Sequence, residues 1–215
     1  MFESIWEHRG LLLEGLGATL LMVLLSALIS LPVGALVAMA RLSPNRLVRA
    51  VSLVYIEVFR SIPVLVLMIA LFYALGRNLQ DLGINAFWTA VIALSLNESA
   101  YLGDAYRGLL GAIPDGQWRA AASFGFTRAQ AYRRIIIPQA LAASVPQSVN
   151  GVIYLLKSSA LASLITVHEL VAKAYSVMYQ TFQPFEVLFG VLIIYVIVAT
   201  VIAYIPSFMK GRVNA

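Results

Sequence analysis

Residues 15–40 form a run of 26 positions without one charged side chain, and this run restricts the chain more than any other feature. About 20 apolar residues in a helix cross the hydrocarbon core of a bilayer, where every backbone polar group must be satisfied internally. Gly15 to Ala40 therefore predicts a membrane-spanning helix, with Pro32 as a kink rather than an end. The preceding MFESIWEHRGLLLEG is mixed in charge, and no small-residue cleavage site follows a short apolar core. The run is expected to stay in the protein and not to be removed as a signal peptide.

Composition points the same way. The 215 residues are 61% hydrophobic and 12% charged, with a mean hydropathy of +0.87, whereas a soluble domain is about half apolar and about a quarter charged. With no cysteine there is neither a disulfide framework nor a cysteine-held metal. A net charge of +5 would suggest a nucleic-acid partner in a soluble protein. In a membrane protein its distribution matters more, and no nucleic acid is expected.

The apolar runs predict an all-α integral membrane protein: one transmembrane domain over 1–215, with five spans at about 16–40, 48–76, 84–110, 135–160 and 187–209. KSSALASLITV, from Lys157, reads either as the last turns of the fourth span or as a re-entrant piece. His168 to Glu186, polar and aromatic, reads as a short helix outside the membrane. Arg41, Arg46, Arg49, Arg107, Arg119, Arg128, Arg133, Arg134, Lys210 and Arg212 fall on one side, against Arg9, Arg77 and Lys173 on the other. Ten basic residues against three place the C-terminus in the cytoplasm and the N-terminus outside, with Trp6 and Trp88 near the outer interface.

The third and fourth spans are joined by a polar, basic stretch, about 113–134, that carries its own structural signals. Pro114, Asp115 and Gly116 make a turn, and the alanine-rich Gln117 to Phe124 has good helix formers. Gly125 can supply the left-handed residue that ends this helix, and Thr127 with Gln130 fits a capping box opening the next. Ala120, Ala121 and Ala122 leave the short helix little side chain, so another protein's groove would close tightly on it. The alternative is an ordinary structured connection between spans.

Ionisable groups also fall inside the predicted spans. A rise of about 1.5 Å per residue carries Glu98 close to mid-membrane. An unpaired acid there costs about 3 kcal/mol on insertion scales, so it should face the bundle interior or water. Glu57 and Arg60 stand one turn apart and within pairing reach. Lys157 either faces the pathway or snorkels to the outer headgroups. Structural pairing and solute contact stand about even for this set. Glu98, Arg60 and Lys157, with Asn97, Tyr101, Ser158 and Ser159 as neutral partners, hold both charge signs that a zwitterionic solute needs.

These stretches resemble permease subunits of type I ABC importers, in the polar amino-acid uptake family. The loop is similar to the family's cytoplasmic coupling loop: Ala120, Ala121, Gly125, Ile137 and Pro138 match its pattern, preceded by Gly116 and Gln117, with Arg119 where Glu is usual. EVFRSIPVLVL from Glu57 resembles Glu-x-x-Arg-Gly-Thr-Pro, AYLGDAYRG from Ala100 resembles Ala-Tyr-x-x-Glu-x-x-Arg-Gly, and KSSAL from Lys157 resembles Lys-x-Thr-Ser-Leu. The resemblance implies a bacterial inner-membrane location and a coupling helix between spans three and four that docks an ATPase. It also implies a second permease, identical or paralogous, two ABC ATPases that carry ATP and magnesium, and an extracytoplasmic solute-binding protein delivering an amino acid. No cofactor is expected on this chain.

Enzyme chemistry finds no support. His8 and His168 are far apart, and neither His-Glu-x-x-His, Gly-x-Ser-x-Gly nor a glycine-rich phosphate loop is present, so no catalytic residue and no metal site is assigned. An ion-coupled secondary transporter or channel subunit is the alternative, since buried carboxylates also serve ion coupling, although no inverted repeat is visible. A pure membrane anchor has no need of the polar residues in spans two and three.

Overall fold

The computed structural model describes residues 3–74 and 85–213, with side chains over 4–74, 85–204 and at 206. Arg77 with its connection, the side chains of Lys210 and Arg212, and the facing ends of the second and third expected spans lie outside the described residues.

The chain opens with a short helix α1 (Glu3–Glu7) and the long α2 (Arg9–Arg41), which Pro32 does not interrupt. Met22, Val23, Ser26, Ala27, Ser30, Gly34 and Ala38 form one buried stripe along α2 at helical spacing, while Leu13, Leu24, Leu28 and Leu36 point outward. An outward face of leucines suits lipid, which is as apolar as leucine itself.

What reads as one second span is two helices, α3 (Arg46–Ser61) and α4 (Val64–Ala74), meeting at 97°. Asn45 caps α3 by accepting the Leu47 N–H at 2.9 Å. The break follows from Pro63: the residue before a proline is pushed out of the helical region, and Ile62 sits at φ −86°, ψ 122°.

Next, α5 (Ala86–Gly111) is capped by Asn85 and is the most enclosed helix, packed on α2, α3 and α4. It meets α2 through small residues: a Cβ on Gly103 would sit 2.7 Å from Val37 Cγ1. Such close backbone approach is how helices pack in lipid. After α5 come α6 (Asp115–Ser123) and α7 (Arg128–Ala131), a π turn over Tyr132–Ile136, and α8 (Ile137–Ser159). The π turn precedes Pro138, which has no N–H to give to the turn behind it. The Ile137 N–H bonds instead to the carbonyl of Tyr132, five residues back.

KSSALASLITV proves to be the last turns of this rod, tightened into a 3₁₀ helix over Ala160–Ile165 and stopped at Thr166, φ 69°. The polar segment after it is helix α9 (Leu170–Thr181), whose Leu170, Ala174 and Val177 are buried against α2 and the final helix α10 (Pro184–Val213).

Among the described residues, three helical stretches are long and apolar enough to cross a bilayer: Arg9–Arg41, Arg128–Ile165 and Pro184–Tyr204. The bent pair α3 and α4 makes a fourth if taken as one span. The remaining expected span, α5, is diluted by Asn97, Glu98, Asp104 and Arg107 in its second half.

Candidate translocation pathway and coupling loop

The break in α3–α4 organises the polar centre. Pro63 cannot donate to the carbonyl of Phe59, the acceptor four residues back. Asn97 on α5 replaces the missing donor: its Nδ2 gives 2.7 Å to the Phe59 carbonyl and 3.4 Å to that of Ile62. Its Oδ1 accepts from the Tyr154 hydroxyl of α8 at 2.8 Å. A single buried amide thus ties three helices together. One turn along, the Tyr55 hydroxyl of α3 shares a 2.6 Å hydrogen bond with Ser99 of α5.

Beside Asn97, Glu98 is 3% exposed and packs directly against Gly151 of α8, where a Cβ would run into its carboxylate. No described residue hydrogen-bonds or ion-pairs with that carboxylate. A carboxyl group so placed is held as a cost to the fold unless something else uses it.

Arg60 does not pair with Glu57. Its Nη1 donates to Asp104 Oδ2 at 2.7 Å, and Arg107 Nε lies 3.6 Å from the other Asp104 oxygen. The guanidinium also covers the Tyr101 ring, 5.2 Å from its centroid, and the Tyr101 hydroxyl donates to the Arg60 carbonyl at 3.3 Å. Helical spacing put Glu57 within reach, but α3 turns Arg60 toward α5, leaving Glu57 exposed. Lys157 is exposed, whereas Ser158 and Ser159 are buried, with the Ser159 hydroxyl donating to the Leu156 carbonyl of its own helix.

Of the eight residues proposed for the pathway, Arg60, Asn97 and Tyr101 gather where α3 and α5 meet, while Glu98 faces α8. Sequence reasoning missed Tyr55, Ser99 and Tyr154, and did not count Asp104 of the third span among the pathway residues. It missed too a second cluster, in which Glu169, fully buried, caps α9 by accepting from Val171 and Ala172, each at 2.9 Å. Thr19 of α2 accepts the Leu170 N–H at 3.1 Å, and the Tyr195 hydroxyl of α10 donates to Glu169 at 3.4 Å. Pro63 was the one sequence signal that a carbonyl in α3 needed a donor from elsewhere.

The loop is built as its local signals dictate. Gly125, at φ 77°, ends α6 in a Schellman motif: its N–H bonds to the Ala122 carbonyl at 3.0 Å and that of Phe126 to the Ala121 carbonyl at 3.1 Å. Thr127 and Gln130 form the expected capping box. Trp118 stacks on Tyr132, centroids 6.0 Å apart, fastening α6 to the π turn.

The three alanines do not share one face. Ala121 is 2% exposed, turned into the loop itself, while Gly116, Gln117, Arg119, Ala120 and Ala122 are open and Phe124 is 83% exposed. Pro138 is exposed at the start of α8.

Residues 30–214 match the model of the binding-protein-dependent transport system inner membrane component. The chain is 32% identical over 214 residues to the probable amino-acid ABC transporter permease protein PatM of Vibrio harveyi, covering 99% of this chain and 96% of that one. It is 30% identical to the glutamine transport system permease protein GlnP of Escherichia coli K12, covering 99% and 97%. Among solved structures it is similar to an amino acid ABC transporter crystallised with histidines, with TM-score 0.88 and 33% identity over 99% of this chain and 98% of that one. A chain of the inward-facing MetNI methionine ABC transporter superposes with TM-score 0.76 at 25% identity, covering 96% of each. With its fold, its loop and nearly its whole length shared with these permeases, the chain belongs to the family of binding-protein-dependent transport system inner membrane components.

Proposed function

We propose that this chain is the membrane-spanning subunit of an ATP-driven importer of polar amino acids. The observation that carries the reading is near end-to-end similarity, in both chains, to permeases named for amino-acid transport. In this reading α2, the bent pair α3–α4, α5, the Arg128–Ile165 rod and α10 are the five spans. The basic residues set the C-terminus and the loop in the cytoplasm and the N-terminus outside.

The open face of α6, with Gly116, Gln117, Arg119 and Ala120, docks the partner ATPase. That partner holds ATP and magnesium; this chain holds neither. Ala121 from inside the loop, and Gly125 and Pro138 through the backbone, fix its shape. ATP closing the ATPase pair moves the loop, and the rigid rod from Arg128 to Ile165 carries that movement to Tyr154 and Asn97, the hub of the pathway. A two-state element biased by ATP at one end and by a loaded binding protein at the other is what coupling requires. A second permease, identical or paralogous, closes the pathway. Glu98, Arg60, Tyr101 and Lys157 present both charge signs to a zwitterion, with Glu57, Asn97, Ser158 and Ser159 around them.

The test is co-reconstitution with the cognate ATPase and binding protein in proteoliposomes, measuring ATP hydrolysis and uptake across labelled amino acids. Uptake that requires ATP and binding protein is expected. Uptake that ignores ATP and follows an ion gradient would replace this reading with a secondary transporter.

A further inference from the structure

A slot of about 470 Å³ opens between α2, α5 and the first half of α8. The two helices α5 and α8 touch where Glu98 meets Gly151 and are joined by the 2.7 Å hydrogen bond of Tyr106 with Ser148. Toward Ile137 they part, and the slot between them is walled by Leu31, Ala35, Met39, Leu109, Ala140 and Leu141. Leu31 and Met39 are eight residues apart on one helix, so the slot runs about 12 Å along the bundle.

At its open end the slot leads into a second recess of about 850 Å³, sharing Met39, Leu110 and Tyr132 with it. Arg49 and Arg128 line this recess, and among the described residues no acidic side chain does. The Arg41 Nε, two residues past Met39 at the end of α2, is buried without a hydrogen-bond partner among the described residues, although Arg41 lines neither space. An amino acid has no counterpart for its charges on the leucine and alanine walls. The arrangement is apolar inside and cationic at the mouth, complementary to an amphiphile with a negative head.

We propose that the slot holds one acyl chain of an anionic phospholipid whose phosphate lies between Arg49 and Arg128. The lipid then wedges α8 from α5 next to the coupling loop, so its presence sets how that loop stands. The leaflet involved, cytoplasmic, rests on the orientation proposed above.

The test is native mass spectrometry of the delipidated permease–ATPase complex given phosphatidylglycerol or phosphatidylcholine with the same acyl chains. One phosphatidylglycerol per permease chain is expected, with at least about tenfold weaker retention of phosphatidylcholine and of phosphatidylglycerol by the Arg49→Gln/Arg128→Gln variant. Ala140→Trp, which fills the slot, should also abolish retention. Leu141→Glu, at a more open wall position, serves the same purpose should Ala140→Trp not fold. Equal retention of the two lipids, or unchanged retention in the slot and arginine variants, overturns the proposal. So does a photocrosslink from position 141 to a second permease chain rather than to lipid. Ala129→Cys in this cysteine-free chain reports orientation separately, by labelling from one side of sealed vesicles. Labelling from outside would reject the orientation while leaving lipid retention to be judged on its own.

Discussion

Asn97 stands in for the N–H that Pro63 lacks, donating 2.7 Å to the carbonyl of Phe59 across a 38-residue separation. Asn97→Ala leaves that carbonyl without a donor and takes one partner from the Tyr154 hydroxyl, at a cost of about 1–3 kcal/mol. In a Pro63→Ala background residue 63 regains its own N–H, so the loss should shrink. Thermal unfolding of the four variants of this cycle in detergent measures the coupling. Strict additivity would mean that Asn97 does not support the break.

Gly151 is matched to Glu98, because any Cβ there meets the carboxylate. Gly151→Ala should destabilise the chain by about 1–3 kcal/mol through overpacking, and Glu98→Ala should relieve much of it. Glu98→Gln keeps the shape and removes the charge, so it should alter the rate or preference of uptake more than assembly. Uptake assays beside complex yield separate the two effects.

Ala120 and Ala121 are neighbours with opposite exposure, and tryptophan at each should fail differently. Ala120→Trp places bulk on the open face of α6, so the ATPase should dissociate or uncouple while the permease unfolds at its normal temperature. Ala121→Trp overfills the loop itself and should lower the unfolding temperature as well. ATPase co-purification and thermal unfolding, read together, distinguish them.

Gly125 at φ 77° has open space around it, so only backbone strain opposes a side chain there. Gly125→Val should cost about 1–2 kcal/mol and disturb the start of α7, whereas Gly125→Asn should be tolerated better. Proteolysis rates at the loop report the difference.

The Arg60–Asp104 pair is 38% and 37% exposed at its side chains. Exposed pairs contribute about 0–1 kcal/mol, so Arg60→Gln should barely move the unfolding temperature. A change in uptake of charged over neutral amino acids, with stability held, would assign Arg60 to the pathway; no change would return it to a packing role.

The sequence alone determined the all-helical membrane class and the local architecture of the loop at 113–134. Those features rest on signals within a few residues of one another: a run without charge, Gly125 past the end of α6, Thr127 with Gln130 at the start of α7. Backbone geometry converts such neighbours into structure wherever they occur. The reading of one span over 48–76 passed over Pro63, and the 97° bend there is set by how α4 packs against α5. Tertiary structure alone decided that Arg60 meets Asp104 rather than Glu57, that Asn97 serves Phe59 and Tyr154, and that Ala121 faces inward. Each of the first two joins residues 38 to 57 positions apart. Helical periodicity says which residues share a face, and only the packing of the helices says which face they meet.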